Sequence, residues 1–213
     1  MTKATAPTLN YESSLWSSGF LAVAGIDEAG RGCWAGPVTA GAVILPADPA
    51  ILDRLSGVRD SKLMTPAERD AMFELIPKEA RAWATGDADN EEIDRLGILN
   101  ATRLAMKRAL AALTVRPDHL LIDYVRIHDV TIPQIGIPHG DMVSLSIAAA
   151  SVMAKVTRDR KMEALAEQYP QYGFEKHKGY GTKQHQEALA RFGPSHLHRM
   201  SFKPIASEEP RLF

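Results

Sequence analysis

Four carboxylates, Asp27, Glu28, Asp123 and Asp141, stand where acidic groups are costly unless something answers their charge. Asp27 and Glu28 follow the apolar run of residues 21–26, Asp123 ends the run of residues 119–122, and Asp141 opens a helical stretch. A charge at the end of an apolar strand must be paired, solvated or bound to a cation. In α/β sheets, strand ends are also where ligands gather. Carboxylates converging there would repel one another, and a hard divalent cation is the usual remedy. Two such ions roughly 3.5–4 Å apart can activate water and stabilise the leaving oxygen in phosphodiester cleavage.

Each residue also has a plainer reading. Asp141 could cap its helix by accepting a backbone N–H. Asp123 could be a turn residue, and Glu28 could pair with Arg31. Neighbours on a regular strand point to opposite faces, so Asp27 and Glu28 share a site only if the strand ends or bulges at Ala29-Gly30. The glycines of Gly30-x-Gly32-x-x-x-Gly36 run one residue too long for a dinucleotide fingerprint. Pro37 and a strand-like run also stand where that motif needs a helix. Beside Arg31 they would instead let backbone N–H groups approach a phosphate or ribose, or simply form a tight turn. Zinc is not supported, since there is neither a Cys pair nor an HExxH.

The elements around these residues follow from periodicity. Residues 21–26 and 38–45 read as strands, and residues 80–85 as a third. Thr65-Pro66-Ala67-Glu68 opens a helix expected to stop at Ile76, because Pro77 cannot continue it. Asn90 is expected to cap a long helix interrupted near Gly97. Residues 119–122 form another strand, followed by a Pro/Gly-rich connection. Residues 142–168 form a long helix with one apolar face, and residues 183–192 a shorter one. This order predicts an α/β sheet domain with a helical appendage. The expected division is a loosely structured lead-in (1–20), a catalytic core (21–168) and a C-terminal basic helical region with a tail (169–213).

The chain has 213 residues, 45% hydrophobic and 24% charged, enough for one domain with an ordinary core. A chain this size buries roughly 70% of its unfolded surface and needs no disulfide. The single cysteine, Cys33, fits a reducing compartment. No run reaches the ~18 apolar residues of a membrane span, and the N-terminus lacks a signal-like run. A soluble, cytoplasmic monomer is therefore expected. The net charge of −1 argues against a strongly basic nucleic-acid binder. Yet residues 176–203 hold six Lys/Arg against one acid, together with four histidines. Such a segment could follow a phosphate backbone or simply be a solvated basic surface.

Longer motifs carry a resemblance. Gly25-Ile-Asp-Glu-Ala-Gly-Arg-Gly32 with Ala35-Gly-Pro-Val38, then Asp60-Ser-Lys-Leu63, Gly140-Asp141 and Ser146–Asp159, resemble in order the motifs of the bacterial ribonuclease HII (type 2 ribonuclease H) family. Tyr172-Gly-Phe, Lys176-His-Lys-Gly-Tyr-Gly-Thr182 and Gly193-Pro-Ser with His198-Arg continue it, so that it spans about residues 21–204. The resemblance implies a ribonuclease H-like fold: a mixed five-stranded sheet flanked by helices, with a C-terminal helical region. It implies that Asp27, Glu28, Asp123 and Asp141 hold Mg²⁺ or Mn²⁺. It implies cleavage of the RNA strand of RNA–DNA hybrids, and nicking 5′ of ribonucleotides embedded in duplex DNA, leaving 3′-hydroxyl and 5′-phosphate ends. Primer removal and ribonucleotide excision repair are the implied roles. Gly30, Arg31 and Gly32 would contact the ribose 2′-OH and its backbone, Tyr180 would stack under the sugar, and Lys62, Lys176 and Lys178 would hold phosphates.

Three positions depart from the family pattern. Cys33-Trp34 replaces Pro-Leu, Tyr124 stands where glycine is usual, and Val143 where lysine is common. The tail, Glu208-Glu-Pro-Arg-Leu-Phe213, could dock on a sliding clamp or be a frayed terminus. A catalytically silent nucleic-acid-binding module and a metal-dependent DNA nuclease are the rival readings. Retention of all four carboxylates argues against the first.

Overall fold

The apolar run after Phe20 becomes β1 (Val23–Ala29), which continues through Asp27 and Glu28 instead of ending before them. In the computed structural model, which describes residues 6–207, β1 is the middle strand of a five-stranded mixed sheet. The order is β3 (Ala82–Ala88), β2 (Val38–Ile44), β1, β4 (His119–Asp123), β5 (Gln134–Ile137). β1–β2 and β2–β3 are antiparallel, whereas β1–β4 and β4–β5 are parallel. β5 lies in what the sequence presents as a Pro/Gly-rich connection. It is a four-residue, half-exposed edge strand containing Gly136, too short to show alternation.

The helices are α1 (Asn10–Ser17), α2 (Ile51–Arg54), α3 (Pro66–Glu79), α4 (Asn90–Leu96), α5 (Ile98–Ala112), α6 (Leu145–Gln168), α7 (Phe174–His177) and α8 (Lys183–Phe192). The expected break at Gly97 divides α4 from α5. Three expectations need correction. The cap of α4 is Asp89, which forms a capping box with Glu92. Asn90 lies inside the helix and donates to His196 O at 2.7 Å. α3 runs past Pro77 because the proline falls in the last turn, where buried Ile76 anchors the helix and its carbonyl accepts the Ala80 N–H at 2.9 Å. The lead-in is ordered from α1 onward. Glu12 is fully buried, and its Oε1 accepts from Ser144 Oγ (2.6 Å), Ser146 Oγ (2.7 Å) and Ser146 N (2.9 Å). That carboxylate answers the positive end of α6, a partner far along the chain that local patterning does not reveal.

One face of the sheet packs on α5, burying Ala24, Ile26, Ala42, Ala105 and Met106, and the other packs on α6. α6 lies unusually close. A Cβ on Gly25 would sit 2.1 Å from the Ser146 carbonyl carbon, and one on Gly41 would sit 2.3 Å from Ala150 O. Glycine at these two strand positions, facing the small residues Ala148–Ala150, seats the start of α6 against the middle of the sheet. α7 and α8 pack on Ala35 and Met162 through Tyr172, Phe174, Leu189 and Ile205. Among the described residues, no helix is long and apolar enough to cross a membrane.

Candidate active site

Pairing between β1 and β4 stops at Ile26↔Ile122, so the next residues, Asp27 on β1 and Asp123 at the end of β4, stand side by side on adjacent parallel strands. β1 continues alone against β2, with Glu28 opposite Ala40 and no bulge. Neither of the routes expected for joining Asp27 and Glu28 is used. β4 ends while β1 runs on, so that edge of β1 opens into a cleft lined by both carboxylates and by Asp123. Asp141, on a short 3-10 turn (Gly140–Met142) ahead of α6, is not among the residues lining the cleft but lies beside it, 3.6 Å from the Nζ of Lys62, which does line it. The cap of α6 is Ser144, which sets aside the capping reading of Asp141.

Each carboxylate is turned toward a protein donor. Asp27 Oδ1 accepts the Glu28 N–H at 2.7 Å, and Asp123 Oδ1 accepts the Gly140 N–H at 2.8 Å. Glu28 Oε1 pairs with Arg31 at 3.0 Å, and Lys62 Nζ lies 3.6 Å from Asp141 Oδ2. Among the described residues, no three Asp, Glu, His or Cys side chains form a ready-made metal-binding arrangement. The electrostatics nonetheless tie the four together. Burial, then Glu28, Asp123 and Asp141, holds the Asp27 carboxyl well above the ordinary range. Burial also raises Glu28, against the opposing pull of Arg31. Burial and Asp60 push Asp141 up to about 6. Lys62 resists its own desolvation because Asp27, Asp60, Asp141 and Asp123 surround its ammonium and raise its pKa. Glu28 Oε2 is buried and accepts no hydrogen bond. An all-oxygen donor set, mutually repelling, with one orphaned buried oxygen, fits a hard divalent cation.

The Gly-rich loop is fixed from beneath by two buried arginines that the sequence reading did not single out. Arg158 donates to Pro37 O, Lys178 O and Ala35 O at 2.8, 2.9 and 3.2 Å. Arg199 donates to Gly36 O, Arg31 O and Gly30 O at 2.8–3.0 Å, and to Pro37 O at 3.1 Å. Gly30, at φ +93°, leaves room for Arg158, whose Nε a Cβ would meet at 2.0 Å. A Cβ on Gly32 would meet nothing within 4 Å, so this part of the loop faces open space. Trp34 N–H donates to Gly179 O at 2.8 Å, joining this loop to residues 178–182. Tyr180 thereby lines the same cleft as Gly30, Arg31, Gly32, Lys62 and two further cations, Arg69 and Lys155, also missed in the sequence reading. Its ring is 40% exposed, with Lys155 Nζ 5.5 Å from the centroid.

The basic segment changes character once folded. His177, His185, His198 and Arg199 are buried, which removes them from any phosphate-following surface. Lys178 pairs with Glu163 at 3.0 Å, and Lys183 with Glu187. Lys176 is exposed, and neither Lys176 nor Lys178 lines the cleft.

Comparison with known proteins agrees with this fold. A family model described as Ribonuclease HII matches residues 24–205. A ribonuclease HII of Roseiflexus castenholzii is 53% identical over 214 residues, covering 99% of this chain and 94% of that protein. The chain belongs to the ribonuclease HII family. Ribonuclease H2 from Pyrococcus horikoshii superposes with a TM-score of 0.72 at 26% identity, over 87% of this chain and 95% of that one. Ribonuclease HII of Archaeoglobus fulgidus, solved as a PCNA:RNase HII complex, gives 0.70 at 26%, over 86% and 96%. As a member of this family, the chain is an endoribonuclease, a hydrolase of the ribonuclease H group. Its departures from the family pattern are accommodated locally. Cys33 is buried, Trp34 packs against His185 at 5.4 Å, and Val143 O accepts the Thr8 N–H at 3.1 Å. Tyr124 holds a left-handed backbone (φ 59°) with its side chain 68% exposed.

Proposed function

We propose that this chain cuts the RNA strand of RNA–DNA hybrids and nicks duplex DNA 5′ of a single embedded ribonucleotide, leaving 3′-hydroxyl and 5′-phosphate ends. Primer removal and ribonucleotide excision repair in the cytoplasm are the corresponding roles. The observation that carries this reading is one cleft lined together by Asp27, Glu28 and Asp123, by the glycine loop at residues 30–32 and by an exposed tyrosine, Tyr180. Bound by Asp27, Glu28, Asp123 and Asp141, Mg²⁺ or Mn²⁺ would supply Lewis acidity at the scissile phosphate.

The chain's own residues do the rest. The open backbone around Gly32 admits a ribose edge, and only the 2′-OH distinguishes RNA from DNA there. Arg31 and Lys62 hold backbone phosphates, positioning the strand without reading its sequence. Tyr180 offers a flat face for the sugar at the RNA–DNA junction. Lys176 and Lys178 remain candidates for outer phosphate contacts along the duplex, Lys178 after release from Glu163. The division into a lead-in, a catalytic core (21–168) and a C-terminal region, and the monomeric state, belong to the same reading. Sliding-clamp contact, which the complex of the Archaeoglobus protein makes plausible for this chain, would use residues 208–213, which lie outside the described residues.

The test is a DNA duplex with one ribonucleotide, incubated with Mg²⁺ and with Mn²⁺. A single nick on the 5′ side of that ribonucleotide is expected. Equal cutting of an all-DNA duplex would overturn the reading in favour of a DNA nuclease.

A further inference from the structure

Three buried histidines lie beneath the loop that carries Tyr180, and none of them touches the cleft. His185 Nδ1 is 3.0 Å from Tyr180 O, and His185 Nε2 is 3.0 Å from His198 Nε2. The Ser195 N–H donates to His198 Nδ1 at 2.9 Å. His177 stacks on His185 at 4.5 Å, with its Nε2 2.8 Å from Tyr172 O and its Nδ1 accepting the Gly179 N–H at 3.2 Å.

These partners leave one arrangement of protons. A carbonyl only accepts, so His185 Nδ1 and His177 Nε2 must carry hydrogens. A backbone N–H only donates, so His177 Nδ1 must be bare; His198 Nδ1 is bare as well, since the Ser195 N–H at 2.9 Å and the Ser195 hydroxyl at 2.9 Å are both closer to it than the Ser195 carbonyl oxygen at 3.3 Å. His198 then carries its hydrogen on Nε2 and gives it to the bare Nε2 of His185. The result is a one-way chain: Ser195 N–H to His198, His198 to His185, His185 to Tyr180 O. Adding a proton anywhere sets two donors against each other. Burial accordingly pushes His185 and His198 down to about 4, so both are neutral near pH 7.

We propose that His185 and His198 are positioning residues for junction cleavage, setting through this tautomer-locked chain where the Tyr180 face stands. The inference rests on the reading of Tyr180 as the surface under the sugar. Other anchors hold the same loop: Thr182 N–H to Tyr180 O at 2.8 Å within it and, from the side of the Gly-rich loop and α6, Trp34 N–H to Gly179 O at 2.8 Å and Arg158 to Lys178 O at 2.9 Å. The histidine chain ties it to Ser195, beyond the end of α8.

The test has two readouts. Nitrogen-15 histidine spectra of the intact protein at pH 7 should show neutral rings at His185 and His198, with hydrogen on Nδ1 of His185 and on Nε2 of His198. A charged ring or the opposite tautomer at His185 would overturn the proposal. For activity, the measured quantity is the ratio of single-ribonucleotide nicking to cleavage of a continuous hybrid. His185→Leu should lower that ratio about tenfold. His185→Asn, whose amide can still donate to Tyr180 O, should recover most of it. His198→Asn keeps an acceptor for Ser195 but loses the donor to His185, and should give an intermediate ratio. Equal loss on both substrates in all three variants would mean a merely structural role and overturn the proposal. Tyr180→Ala, run alongside, separates the two ideas. A lowered ratio there with an unchanged ratio in folded His185→Leu rejects the histidines alone. An unchanged ratio in Tyr180→Ala rejects the role of Tyr180 and, with it, the proposed function of the chain beneath.

Discussion

Asp27→Asn should lower turnover on a hybrid by about a thousandfold or more, roughly 4 kcal/mol of barrier. Hybrid binding without turnover should change little, because the amide keeps the side chain's shape and leaves the cations of the cleft in place. Stability should move the other way from most core substitutions. The Asp27 carboxylate is buried among Glu28, Asp123 and Asp141, an arrangement that holds its pKa high and disfavours the charged form. Replacing it with a neutral amide, whose oxygen can still accept the Glu28 N–H, should leave the metal-free protein as stable or more so. The same reasoning fixes a sign for pH. A carboxyl whose pKa is raised by folding takes up protons as the chain folds. Stability without metal should therefore fall as pH climbs from about 4 to about 6, the window set by Asp141. Thermal melts and single-turnover assays on one preparation check both halves. Near-normal turnover in Asp27→Asn would remove that residue from the site.

Arg199→Met should be among the most destabilising single changes in the chain. The guanidinium is fully buried and answers the carbonyls of Gly30, Arg31, Gly36 and Pro37. Pro37 O keeps Arg158 and Gly30 O keeps the Cys33 N–H, but the carbonyls of Arg31 and Gly36 lose their donors, at about 1–3 kcal/mol each. With partial relaxation, a total near 4 kcal/mol and a melting point lower by roughly 10 °C are expected. Burial already pulls the Arg199 pKa down to about 10, a measure of how fully it is desolvated. Arg199→Lys should rescue little, because one ammonium cannot span the positions reached by a planar fork of five donors. A melting point within about 2 °C of the parent would contradict this account of the loop.

These expectations also mark what could be read from the chain alone. Strands and helices with clean apolar periodicity, such as β2, α5 and α8, were legible, as was the Gly97 break. The edge strand β5 was not, because four half-exposed residues carry no periodic signal. Buried Glu12 fell within the loosely structured lead-in expected for residues 1–20, because its partners, Ser144 and Ser146, become neighbours only when α6 seats against the sheet. The carboxylates stood out by their places at strand ends, and the register of β1 on β4 explains why Asp27 and Asp123 meet. Arg158, Arg199 and the histidines were opaque for one shared reason. Polar residues on a long helix, as Arg158 is, or in the basic stretch that holds the others, look solvent-bound, and only tertiary structure shows that they answer backbone carbonyls and each other.

The most direct test of the central claim is a crystal grown or soaked in Mn²⁺ and examined by its anomalous signal. Density bonded to oxygens of Asp27, Glu28, Asp123 and Asp141, with Glu28 Oε2 drawn from its orphaned position, is the expected result. An active crystal form whose manganese lies elsewhere, with those four side chains still turned to their protein donors, would contradict it.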